Sequence, residues 1–237
     1  YTKMNIPNCI CMIPARIGSQ RFRKKNLALI GKKSILELGI EKAIEAKIFD
    51  EIIVNADDDV FELIAQKKGV KFYRREKKLG SSDTKSDDVV FDFISKNKCE
   101  NIVWYNAIAP LQTIDDIKGF AISLRKKNVD TQFATKKEYL QAIFQNKPLN
   151  FLENEKFSKT QDLDPIELFV PSLMGWKCKT FIEKYISDKH AFFCGKINYY
   201  PVSNLSSLVI KHESDFRLIR SVIKGISSYD ESIEYFN

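Results

Sequence analysis

The chain has 237 residues, 44% of them hydrophobic and 29% charged, which is ordinary for a soluble globular protein and enough to bury one large core. Its 38 Lys and Arg outnumber 31 Asp and Glu, giving a formal charge of +7 that suits an anionic ligand and also suits nucleic acid. No run approaches the ~20 apolar residues of a membrane span, and the first residues lack a signal-peptide core. The five cysteines (Cys9, Cys11, Cys99, Cys178 and Cys194) are scattered, without a C-x-x-C pair. With only His190 and His212 beside them, the spacing does not point to a zinc site. The thiols are read as reduced and the protein as cytoplasmic.

In chain order, Cys9–Ile13 reads as a buried strand, with Cys9 and Cys11 on one face. Ser34 and Glu37 form a capping-box pattern, and Leu36, Ile40, Ala43 and Ile44 follow as one helical stripe. Glu51–Asn55 is a second strand, followed by a helix over about 58–68, and 70–73 is a short third strand. Ser86–Lys96 is helical, with Val89, Val90, Phe93 and Ile94 on one face. Ile102–Tyr105 is a fourth strand, and 114–126 is another amphipathic helix. This alternation predicts βαβ units, and so an α/β fold with a doubly wound, mostly parallel sheet. From Asp130 to about Pro171 the helical period disappears, and short strand-like pieces alternate with turn residues. The segment reads as a β-rich arm inserted into a single domain spanning 1–237. Helix returns near 180–186, a strand near 197–200 and a last helix over about 215–224.

The stretch Cys9–Asn26, CICMIPARIGSQRFRKKN, carries the strongest chemical signal. An apolar strand stops at Pro14, and Arg16, Arg21, Arg23, Lys24 and Lys25 follow within a dozen positions. Ligands of doubly wound sheets bind at the carboxyl ends of the strands, which is where this loop falls. Arg forks onto phosphate oxygens, and Gly18 offers close approach to the backbone, so the loop reads as a phosphate-binding one. It is neither G-x-x-x-x-G-K-[ST] nor G-x-G-x-x-G. A merely solvated basic loop is the alternative on the residues alone.

Ile13–Asn26 resembles the opening motif I-P-A-R-x-G-S-x-R-x-x-x-K-N of the acylneuraminate cytidylyltransferase family, the nucleotidyltransferases that activate sialic and related nonulosonic acids. Other segments line up in order: NADDD at 55–59, REKKLGSSDTKS at 75–86, APLQ at 109–112, TQDLDP at 160–165 and ESDF at 213–216. The resemblance implies a nucleotidyltransferase-type fold that dimerises through its β arm. It also implies Mg²⁺ as cofactor, and transfer of CMP from CTP to an acidic sugar with release of pyrophosphate. By the same resemblance Arg16, Gly18, Ser19, Lys25, Asn26, Arg75 and Ser86 hold the nucleotide, while Arg16, Arg21 and Lys25 offset charge on the departing pyrophosphate. Asn106, Gln161, Ser172 and Trp176 stand at the family's sugar-side positions. On its own, Arg75 reads as a strand-end surface charge and Ser86 as a helix N-cap.

The chain departs from the family on the sugar side, where NAIAP at 106–110 replaces Q-P-T-S-P and SLMGW at 172–176 replaces N-G-x-x-Y, and on the metal side. VIKHESDF, residues 209–216, stands where the family carries D-I-D-x-x-x-D-F, so Val209 and Lys211 replace two magnesium-binding aspartates. Asp57 and Glu213 are the alternative metal-side carboxylates. Two further readings stay open: a member that binds nucleotide or nucleotide-sugar as a regulatory or scaffolding protein without efficient turnover, and a basic nucleic-acid-binding domain. The latter lacks an aromatic platform in the basic loop.

Overall fold

The computed structural model describes residues 8–81, 83–154, 156–157, 159–228 and 235. Its strands are β1 (Cys9–Pro14), β2 (Leu29–Ile30), β3 (Lys33–Ser34), β4 (Glu51–Ala56), β5 (Lys71–Arg74), β6 (Asn101–Tyr105), β7 (Thr131–Glu138), β8 (Ile143–Phe144), β9 (Lys147–Pro148), β10 (Ile166–Lys177) and β11 (Ile197–Pro201). Its α-helices are α1 (Ile35–Ala46), α2 (Asp59–Lys67), α3 (Ser86–Lys96), α4 (Ile114–Leu124), α5 (Cys178–Asp188) and α6 (Glu213–Ser228). Short 3₁₀ turns cover Lys25–Leu27, Lys77–Gly80 and Thr160–Asp162. No helix among the described residues is long and apolar enough to cross a membrane.

Seven strands form one sheet in the order β11-β7-β10-β6-β1-β4-β5. β1 pairs in parallel with both β4 and β6, β4 with β5, and β7 with β11; β10 alone runs antiparallel to its neighbours β6 and β7. From β1 the chain builds outward to β4 and β5, then returns to place β6 on the other side. The switch point therefore falls between β1 and β6.

The alternation in β1 explains why the sheet is covered on both faces. Cys9, Cys11 and Ile13 enter one core with Leu36, Ile40, Phe61, Phe120 and Ile219, so α1, α2, α4 and α6 lie on that side. Ile10 and Met12 enter the other core with Val90, Phe93, Ile94 and Phe181, so α3 and α5 lie opposite. A strand buried on both faces needs the near-continuous apolar run seen here. The capping box forms as the sequence suggests: Ser34 Oγ accepts from the Glu37 amide, and Glu37 Oε2 accepts from the Ser34 amide at 2.9 Å.

The expected arm over 130–171 is shorter than its composition suggested. β7 and β10, which take up most of its first and last residues, are main-sheet strands, with Thr131–Thr135 buried, and their outer halves pair Ile166 with Glu138 and Phe169 with Thr135. The stretch between them carries the β8–β9 ladder and the 3₁₀ turn. The helical period is missing from 131–138 because that segment is a central strand, not an insertion.

Candidate active site

Three parallel strands deliver the site residues from their carboxyl ends. The basic loop follows β1, Arg75 follows β5, and Asn106 follows β6. Together with the start of α3, the antiparallel β10 and the turn before α6, they enclose a cleft of about 630 Å³, within the range of small-molecule sites.

The loop's shape comes from its own anchors. The Ala15 amide donates to the Asn55 carbonyl at 3.0 Å, which holds the loop at the edge of the sheet. Lys24 takes a left-handed conformation, φ 51°, turning the chain into the Lys25–Leu27 3₁₀ turn. Lys25 Nζ then reaches across to the Ile210 carbonyl at 3.0 Å, and Arg16 Nη1 reaches the Ser81 carbonyl at 3.4 Å. The loop is thus tied to both flanking segments.

Arg16, Ser19, Arg21, Lys25, Asn26, Arg75, Ser86 and Asn106 all line this cleft, as does Lys211. Arg75 is 5% exposed, so it is not a surface charge: Nη2 donates to the Ala15 carbonyl at 2.8 Å, and Nε has no partner among the described residues. Burial lowers its pKa, and the Asp57 carboxylate opposes that shift. Asn26, 6% exposed, leaves Oδ1 unpartnered. Two buried polar side chains facing a cleft with unmet hydrogen-bond capacity are ready for a polar ligand. Ser86 is the first residue of α3, whose N-cap is Lys85 with no side-chain cap bond, so the serine hydroxyl does not cap the helix. Lys25 is pushed down to about 8, first by burial and then by Arg21 and Arg16, with Asp215 opposing.

Four assignments change. Gly18 does not line the cleft; nothing lies within 4 Å of the place a Cβ would take, so no packing demands glycine there. Gln161 is exposed on the 3₁₀ turn of the arm and does not line the cleft. Ser172 is fully buried in β10; its carbonyl accepts from the Asn106 amide at 2.8 Å, so it positions Asn106 through its backbone. Trp176 is fully buried among Phe133, Phe181 and Phe192, and its indole N–H donates to the Phe192 carbonyl at 2.8 Å. It belongs to the core and not to the cleft wall.

Sequence reasoning missed the apolar wall, which Trp104, Ile108, Pro171, Met174 and Phe192 form. Phe192 is held there because Asp87 Oδ1 accepts from the Ala191 and Phe192 amides at 2.6 and 2.8 Å. That link joins residues far apart in sequence, and no local signal announces it.

The carboxylates of Asp57, Glu213 and Asp215 do not line the cleft, nor does any other Asp or Glu among the described residues. Among the described residues no group of three His, Cys, Asp or Glu side chains is placed to hold a metal ion. Magnesium requires oxygen ligands, so the cleft's own side chains do not fit a Mg²⁺ ion anchored on protein carboxylates.

A doubly wound sheet with a cleft at its switch point, lined among the described residues by cations and no carboxylate, has the chemistry to take a phosphorylated small molecule. The sequence matches the cytidylyltransferase family over residues 10–223, and the chain belongs to that family. It is 31% identical over 166 residues to a pseudaminic acid cytidylyltransferase of Campylobacter jejuni, covering 65% of this chain and 72% of that protein. It is 26% identical over 216 residues to an N-acylneuraminate cytidylyltransferase of Streptococcus agalactiae, covering 87% of this chain and 51% of that protein, so it spans about half the length of that relative. Among solved structures, a CMP:2-keto-3-deoxy-manno-octonic acid synthetase complexed with CTP superposes with a TM-score of 0.71 at 13% identity, covering 92% of this chain and 99% of that one. A 4-diphosphocytidyl-2C-methyl-D-erythritol synthase from Anaerococcus prevotii superposes at 0.67 and 15% identity, covering 92% and 96%. These two likenesses establish the nucleotidyltransferase type of fold.

Proposed function

We propose that the cleft binds CTP and transfers its CMP to a hydroxyl of an acidic sugar of the nonulosonic type, releasing pyrophosphate. The observation that carries this reading is the convergence of Arg16, Arg21 and Lys25 from one loop with Arg75 and Lys211 on a single cleft. In the reaction the sugar's anomeric hydroxyl oxygen forms a bond to the α-phosphorus as the α–β bridging P–O bond breaks; pyrophosphate leaves in line, and the hydroxyl proton passes to solvent water. Phosphoryl centres need little covalent help, so positioning and fixed charge carry the acceleration. Arg16, Arg21 and Lys25 neutralise charge that builds on the departing pyrophosphate. Arg75, Asn26 and Ser86 lie toward the nucleoside, and Asn106 lies beside the apolar wall toward the sugar. Pyrophosphate release on mixing the protein with CTP and a panel of nonulosonic acids tests the assignment. Release with at least one acid is expected. CTP binding without release from any of them would favour a nucleotide-binding role, the reading suggested by the replaced aspartates.

Arg16→Ala removes one charge-assisted phosphate contact. It is expected to weaken CTP binding by about 1.5–3 kcal/mol. Calorimetric titration measures this directly, and equal affinity for both proteins would take Arg16 out of the phosphate site.

A homodimer built through the arm fits the same reading. Ile143, Phe144, Leu149 and Leu152 are each 60–66% exposed, an apolar surface that a partner's burial would stabilise. Phe133, by contrast, completes the monomer's own core. Light scattering at micromolar concentration should give twice the chain mass; a monomer would count against the arm as an interface. The five cysteines are free and buried, which suits a reducing cytoplasm.

A further inference from the structure

Among the described residues, the carboxylates nearest the cleft stand outside its lining. A Cβ on Gly80 would stand 2.2 Å from Asp57 Oδ2, so the 77–81 turn packs closely over that carboxylate, whose Oδ1 is buried with no hydrogen-bond partner among the described residues. Asp215 Oδ2 accepts from the backbone amides of both Lys211 and His212 at 2.8 Å, closing the turn into α6. Glu213 is exposed and faces Arg217 at 3.7 Å. Against these stand five cations on the cleft itself.

We propose that Lys211 supplies, as an ammonium carried on a pinned stretch of backbone, the positive charge that a protein-anchored divalent ion would otherwise bring to the triphosphate, so the cleft takes up the metal-free nucleotide. This rests on the CTP-binding reading above. The backbone on both sides of Lys211 is pinned. The Ile210 amide donates to the Ile108 carbonyl at 2.9 Å, the Ile210 carbonyl accepts from Lys25, and the Lys211 amide is held by Asp215. Ile210 itself is fully buried. The side chain therefore leaves a fixed point and lies on the cleft, and its ammonium makes no hydrogen bond or salt bridge with the described residues. Asp215, the carboxylate that feels its charge, spends its hydrogen-bonding oxygen on backbone amides.

The sign of the metal effect follows from the charges. Magnesium chelated by the phosphates cancels two of the ligand's negative charges, and the cleft offers cations without a carboxylate to receive the ion. Chelation thus weakens the attraction instead of bridging it. A lysine neutralises phosphate as a compact point charge from a flexible stem, so it replaces the ion's charge but not its ordering of several oxygens.

Calorimetric titration of the whole chain with CTP, in Mg²⁺ and in EDTA, tests this, with cytidine as the uncharged control. Wild-type affinity for CTP is expected to be equal or tighter in EDTA. Lys211→Met should lose roughly tenfold or more in CTP affinity while binding cytidine as wild type does, and Lys211→Arg should recover most of the loss. CTP binding that collapses in EDTA overturns the proposal, because the metal is then held by ligands of its own. So does a Lys211→Met protein that binds CTP like wild type. Failure of the wild type to bind CTP in either buffer instead overturns the CTP reading on which the proposal rests.

Discussion

Lys25→Met should reduce CTP affinity by roughly ten- to a hundredfold, the cost of losing one charge-assisted phosphate contact and its anchor. Lys25 is the best-fixed cation of the loop, since Nζ donates to the Ile210 carbonyl at 3.0 Å and ties the β1 loop to the turn carrying Lys211. Its lowered pKa adds a pH signature. Burial, with Arg21 and Arg16 beside it, brings the group from 10.5 to about 8, so in the free protein its charge is largely lost between about pH 8 and 9. CTP affinity should accordingly fall as pH rises through about 8.

Stability should move the other way. The unfolded lysine keeps its proton up to about 10.4, while the folded one releases it near 8. Between those values the unfolded state binds more protons, so stability contributed by this group rises with pH across that window. Lys25→Met should flatten both slopes. Titrations and denaturant unfolding at several pH values from 7 to 10 check the pair. A wild-type affinity that does not change from pH 7 to 9 would show that the Lys25 charge does not meet the phosphates.

Trp176→Ala should cost about 3–5 kcal/mol of stability, a large share of the 5–15 kcal/mol typical of a domain. The indole is fully buried, with ring centroids 5.0 Å from Phe192, 5.7 Å from Phe181 and 6.2 Å from Phe133. Its N–H satisfies the Phe192 carbonyl, so alanine leaves both a cavity and a lost bond. Because Phe192 also lines the cleft, some loss of sugar affinity should accompany the loss of stability. Trp176→Phe, which keeps most of the packing, should cost much less. Unfolding by urea with circular dichroism measures the difference. A loss under about 1 kcal/mol in Trp176→Ala, coupled to a selective loss of sugar affinity, would return Trp176 to the acceptor site.

The sequence by itself determined the α/β class, the strand–helix alternation and the place of the basic loop. Each rests on short-range physics. Apolar runs of strand length, the Ser34–Glu37 capping box and the 3.6-residue stripes of α1 and α3 act within a few residues of themselves. The boundaries of α3 at Ser86 and Lys96 were legible for the same reason. Arg16 to Asn26 could be placed because position after a buried strand and charge density coincide in one stretch of chain.

Tertiary structure alone decided what depends on pairing across long sequence separations. β7 and β10 read as an arm because neither has a helical period; their burial comes from pairing with each other and with β6 and β11. Trp176 and Gly18 stood at motif positions, but facing direction is set by strand register and loop course, which motif spacing does not contain. Arg75, which read as a surface charge on its own and as a nucleotide ligand by resemblance, is shown buried only once the Ala15 carbonyl and the cleft enclose it. The apolar wall needed Asp87 to hold Phe192 from the far end of α5, a contact no local pattern encodes. The same holds for the charge balance: only the folded chain shows Asp57 packed against Gly80 and Asp215 turned to its own backbone, with the described lining of the cleft left to its cations.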